Sequence, residues 1–115
     1  MKIIGNGSVS TCGNSEEIGI LGQGNIDYSP FPMLIIDSGV KSIITTYISS
    51  YALLNNGSVL VTGSTFLTSL PTNVLIPTLI PRLSDVIGIL SARRGAFFFL
   101  SNSNLFNFII LSNFE

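Results

Sequence analysis

Three features of this 115-residue sequence predict an all-β fold. Ile, Val, Phe, Tyr and Thr supply 41 residues, whereas Ala, Glu, Gln, Lys, Arg and Met together supply 14, a balance that favours pleated strands over helices. The apolar runs are short and bounded by Gly, Pro, Asn and Ser, as in sandwiches and propellers. Asn-Gly pairs stand beside these runs, the local signal of an antiparallel hairpin.

The strands follow in chain order. Ser8 to Cys12 is the first, entered from an Asn6-Gly7 turn. Val40 to Tyr47, Tyr51 to Leu54 and Ser58 to Thr62 come next, the last two joined by Asn55-Asn56-Gly57. Asn and Gly tolerate the positive φ that a tight primed turn demands. Val86 to Ser91, Ala96 to Leu100 and Leu105 to Leu111 complete the set, with Ser101-Asn102-Ser103-Asn104 in the final turn position. Pro30, Pro32, Pro71, Pro77 and Pro81 are expected in two long connections, where no ladder hydrogen bond is lost. Phe97-Phe98-Phe99 breaks strict alternation and places phenylalanine on both sheet faces, as burial between blades or a partner-covered patch would use it. Cys12 reads as a small core residue. Tyr47 and Tyr51 share one side if their strand is continuous, and part company if a hairpin intervenes.

An internal repeat organises these strands. Asn6-Gly7-Ser8-Val9 recurs as Asn56-Gly57-Ser58-Val59, and Gly13 as Gly63, both at an offset of 50. At an offset of 46, Val40-Lys41-Ser42-Ile43-Ile44 overlies Val86-Ile87-Gly88-Ile89-Leu90, and Tyr51-Ala52-Leu53-Leu54 overlies Phe97-Phe98-Phe99-Leu100. Asn56 then meets Asn102, and Val59 meets Leu105. Two copies of a unit of about four strands are the signature of propeller blades.

The unit resembles the regulator of chromosome condensation (RCC1) repeat. The resemblance lies in Asn6-Gly7-Ser8-Val9 to Gly13, then Gly19-Ile20-Leu21-Gly22-Gln23-Gly24, then a Pro-containing stretch from Asn25 to Ile35 matching the family's blade-connecting loop. Val40 to Ile43, continuing through Tyr51-Ala52-Leu53-Leu54-Asn55-Asn56-Gly57-Ser58-Val59, resembles the family's most recognisable stretch. It implies two four-stranded antiparallel blades of an RCC1-like β-propeller in an incomplete ring, since closure takes about four to eight blades. Residues 1–36 would end one unit, 37–84 form a second with its connecting loop, and 85–115 begin a third. The chain would be a fragment or eroded remnant of such a ring. It departs from the family at Thr46 and Ser49, at Ala92 and Gly95, at Cys12 and Thr62, and at Thr68-Ser69-Leu70-Pro71-Thr72.

Composition narrows the function. With 5 basic and 6 acidic residues and a net charge of −1, the chain has no electrostatic footprint for nucleic acid or an anionic membrane. Histidine is absent, which removes His-based triads, His metal sites and the usual neutral-pH proton shuttle. One cysteine makes neither an internal disulfide nor a zinc cluster. No catalytic residue, metal or cofactor is expected. No signal-peptide h-region follows Met1, and Ala96 to Leu111 is interrupted by Ser and Asn before it reaches spanning length, so a soluble intracellular chain is expected. Gly7, Gly13, Gly19, Gly22, Gly24, Gly57 and Gly63 read as structural turns. The Gly19–Gly24 run lacks the lysine and following helix of a phosphate cradle.

The expected function is a non-catalytic protein-interaction or scaffold element, with a protein partner or self-association. Its loops Glu16 to Asp27 and Thr65 to Pro81 would be presented on a rigid sheet. Glu16, Glu17, Asp27, Arg93 and Arg94 are the candidate partner contacts; arginine in particular is enriched at interfaces. The family resemblance also implies an alternative, a fragment of a guanine-nucleotide exchange factor for a small GTPase.

Overall fold

The structure, a computed structural model, describes residues 2–3, 5–14, 19–24, 28–64, 70–92, 95–102 and 105–111. Every regular element among them is a strand. The strands are β1 (Lys2–Ile3), β2 (Val9–Asn14), β3 (Tyr28–Ile36), β4 (Val40–Thr45), β5 (Ser49–Leu54), β6 (Val59–Ser64), β7 (Asn73–Leu79), β8 (Val86–Ser91), β9 (Ala96–Asn102) and β10 (Leu105–Leu111). All pair antiparallel, in three separate meanders of order β1-β2-β3, β4-β5-β6-β7 and β10-β9-β8. Among the described residues, one sheet is four-stranded, where two were expected, and it is set between two three-stranded ones.

Pro71 and Pro81 lie in connections as expected, but the other three prolines do not. Pro30 and Pro32 lie inside β3 and Pro77 inside β7, so Asn25 to Ile35 and Thr65 to Pro81 are not simply connecting loops. Each strand is the edge of its sheet. Each proline also falls where the ladder is interrupted: the register steps from Thr11↔Met33 to Gly13↔Ser29, and from Val61↔Thr78 to Gly63↔Val74. An edge strand at a bulge has no ladder bond for a missing N–H to break.

The hairpin turns also differ from the primed type. Gly7 and Gly57 have φ of 78° and 87°, but the asparagines before them are not in the left-handed region. Gly57 N–H donates to the Leu54 carbonyl at 3.0 Å, which makes an ordinary turn closed by a left-handed glycine. The asparagines act through their side chains. Asn6 Oδ1 accepts the Ser8 N–H and Asn56 Oδ1 accepts the Ser58 N–H, each at 3.0 Å.

Both sequence offsets reappear as contacts between sheets. Val40 N–H donates to the Gly7 carbonyl and Val86 N–H to the Gly57 carbonyl, each at 3.0 Å. Each hairpin turn thus anchors the first strand of the next sheet. At Gly7 a Cβ would lie 2.7 Å from Val40 N, so the close approach requires glycine. A register shift follows Val40 in β4 and again follows Val86 in β8. The turn ahead of β5 closes through Thr46 N–H to the Ser49 carbonyl, and that ahead of β9 through Ala92 N–H to the Gly95 carbonyl, both at 2.8 Å. The Thr46 hydroxyl also accepts the Ile48 and Ser49 N–H groups. The equivalence ends at β10: β9 continues through Ser101 and Asn102, and Leu105 pairs with Asn102, so it does not occupy the place of Val59 opposite Leu53.

Two apolar clusters lie between the sheets. Val9, Val40 and Ala52 are buried between the first and second, flanked by Ile35, Ile36, Ile43, Leu54 and Leu60. The larger cluster joins the second and third sheets and includes Tyr51, Leu53, Val59, Val61, Val86, Ile89, Ala96 and Phe98. Tyr51 and Phe98 meet edge to face, with ring centroids 5.7 Å apart and planes at 72°. The phenylalanine run splits across the sheet: Phe98 is fully buried, whereas Phe97 and Phe99 are half-buried on its other face. Tyr47 sits in the bend between β4 and β5 and is exposed, apart from Tyr51.

Candidate functional site

The glycine-rich run after β2 reaches across to the second sheet. Gly24 N–H donates to the Leu75 carbonyl in β7 at 2.9 Å. The Ser50 hydroxyl on β5 donates to the Ile20 carbonyl at 3.2 Å. The Thr62 hydroxyl on β6 lies within hydrogen-bonding distance of two carbonyls, those of Gly19 and Val74. A hydroxyl has one proton, so the two carbonyls share it. Within the first sheet, Thr11 Oγ1 donates to the Leu21 carbonyl at 2.6 Å, and Gln23 Nε2 donates to Thr11 O and Oγ1 at 2.9 Å each. A Cβ at Gly19, where φ is 91°, would come within 2.5 Å of the Val74 carbonyl oxygen. The run is a clamp between sheets, with Gly19, Leu21 and Gly22 buried, and is not a loop presented to solvent. Its Gly22 and Gly24 amides are already committed to the Gly19 and Leu75 carbonyls.

Residues 62 and 12 stand at matching places in β6 and β2, yet Thr62 is buried and Cys12 is exposed. The expectation of a core Cys12 is therefore corrected. Thr62 is covered because the Gly19–Gly24 clamp lies over it. No corresponding loop covers Cys12 among the described residues.

An open cleft of about 470 Å³ lies where the clamp meets β3 and β7, lined by Gly22, Gln23, Met33, Ile35, Ile76 and Pro77. Gln23 Oε1 is buried beside the Thr11 bonds and meets no donor among the described residues. The strands bordering the cleft carry exposed apolar side chains, with Phe31 at 75% and Ile76 at 61% exposure.

A second apolar surface lies on the far side of the third sheet. Leu90 is 55% exposed and Phe99 half-buried, on the face opposite Ile89 and Phe98. Their counterparts 46 residues earlier, Ile44 and Leu53, pack into the larger core against the third sheet. The offset alone could have located this surface.

The glycines read as turns, Gly7, Gly13, Gly19, Gly22, Gly24, Gly57 and Gly63, all have positive φ, between 70° and 109°. The candidate partner contacts Glu16, Glu17, Asp27, Arg93 and Arg94 lie outside the described residues. Sequence reasoning gave no bonding role to Thr11, Ser50 or Thr62, and the further hydroxyls Ser10, Ser49 and Ser64 in the same strands leave them no distinguishing signal. Among the described residues, no three His, Cys, Asp or Glu side chains gather as a metal site, and no helix is long and apolar enough to cross a membrane. The chain matches no family model, no curated protein and no solved structure.

Proposed function

We propose that this chain is a non-catalytic protein-interaction element, built from repeated sheets of the RCC1-like blade type. The recurrence of one inter-sheet hydrogen bond at Gly7–Val40 and Gly57–Val86 supports a repeating blade architecture. The observation that carries the interaction reading is the outer face of the third sheet. Leu90 and Phe99 occupy positions that the second sheet buries, so the same pattern is offered here to a further partner. The partner's contact surface is itself apolar, as the third sheet's is toward the second.

Photo-crosslinking in the native cell tests this. A photoreactive residue at Leu90 is expected to capture a discrete protein adduct, while one at the exposed Thr72 captures none. Equal labelling at both sites, or none at either, overturns the reading.

A further inference from the structure

The sheet edges are not protected alike. Edge strand β3 carries Pro30 and Pro32, and edge strand β7 carries Pro77, each at a bulge. These are the usual devices that stop an edge from recruiting another strand. Strand β10 has neither device. Its sequence, Leu105-Phe106-Asn107-Phe108-Ile109-Ile110-Leu111, has no proline, glycine or charge. It pairs with β9 from Leu105↔Asn102 to Leu111↔Ala96 with no register shift, and has no second neighbour among the described residues. Its counterpart in meander order, β6, is paired on both sides, by β5 and β7.

We propose that β10 pairs edge to edge with β10 of a second copy of this chain, joining two three-stranded sheets into one antiparallel six-stranded sheet. The sequence of the strand favours its own copy as occupant. A two-fold axis through an antiparallel pair lays the strand beside its own copy, so a charge near its middle would lie close to its like; β10 has none. A net charge of −1 over the whole chain adds little repulsion between copies. Regular register and high β-propensity supply the backbone ladder that strand addition uses. The pairing is isologous and closes at two copies.

This inference rests on the interaction reading and names a partner for the same sheet. Light scattering over a dilution series of the intact chain is expected to give twice the 12.3 kDa chain mass, falling to the single mass on dilution. Hydrogen exchange on the same samples should show amide protection across residues 105–111 that rises with concentration. A single-chain mass throughout, or a dimer whose 105–111 protection ignores concentration, overturns the proposal. Asn107→Lys sets like charges into the pairing and is expected to weaken the dimer by about fivefold or more. If that variant fails to fold, exchange on the native chain still decides. A monomer that retains the Leu90 adduct rejects self-pairing and leaves the interaction reading standing, whereas loss of both rejects both.

Discussion

The first sheet is held to the second largely by hydroxyls and a glycine-rich clamp, whereas the second is held to the third by side-chain packing. At the first junction three buried apolar residues, Val9, Val40 and Ala52, accompany the bonds from Ser50, Thr62 and Gly24 to the clamp or from it. At the second, Tyr51, Leu53, Val59, Val61, Val86, Ile89 and Phe98 interlock. Hydrogen bonds exchange with water on unfolding, so each nets about 0.5–1.5 kcal/mol, while each large apolar side chain fully buried contributes about 1.5–3 kcal/mol. The same repeated backbone is therefore joined once by directional contacts and once by bulk burial. Packing dominates stability at the second junction, and geometry fixes orientation at the first.

The largest effect is expected from Phe98→Ala. Phe98 is fully buried and carries the edge-to-face contact with Tyr51, so truncation leaves a cavity in the middle of the larger core. A loss of about 3–5 kcal/mol is expected in urea unfolding, a large share of a small domain's total stability. A cost below about 1 kcal/mol would mean that the second and third sheets are not held by this core.

A smaller and more local loss is expected from Thr62→Val, which keeps the shape and removes the shared proton. Both the Gly19 and Val74 carbonyls then lose the hydroxyl as donor, at a cost of about 1–3 kcal/mol. Hydrogen exchange should quicken at the Gly24 amide, which bonds β7, while β8 and β9 amides keep their protection. Uniform loss across all three sheets would break the distinction between the junctions.

Much of the second junction is legible in the sequence, because its contributors are apolar residues in alternating runs. β8 and β10 have the bounds their composition predicts, and the offsets of 50 and 46 foretell the paired contacts at Gly7–Val40 and Gly57–Val86. The first junction is much less legible. Pro30, Pro32 and Pro77 look like strand breakers until their own strands are known to bulge at them, where the register skips. Asp85, with φ of 60°, stands where Gly39 has φ of 85°, and an aspartate marks a left-handed position far less firmly than a glycine. Whether a hydroxyl such as Thr62 is a surface group or a buried clamp depends on a segment 43 residues earlier in the chain. Propensity and alternation read local preference; they do not report which distant carbonyl a buried hydroxyl will meet.

The junctions should also part company in alkaline solution. Burial in the second junction pushes the Tyr51 hydroxyl above its ordinary value of 10.0, opposed in part by a hydrogen bond with the Ser49 side chain. The folded state therefore holds the phenolic proton more tightly than the unfolded chain. That contribution is intact below about pH 10, shrinks once the unfolded tyrosine ionises, and is lost as pH rises through the higher folded value. Thermal melts of the native chain and of Tyr51→Phe should run parallel up to about pH 9 and diverge above 10, the native chain falling faster. The phenylalanine keeps the ring against Phe98, so its smaller alkaline loss isolates the hydroxyl's titration from the packing that holds the second junction. Equal alkaline losses in the two proteins would mean that Tyr51 reaches solvent before the sheets separate, and that this junction opens more readily than its packing implies.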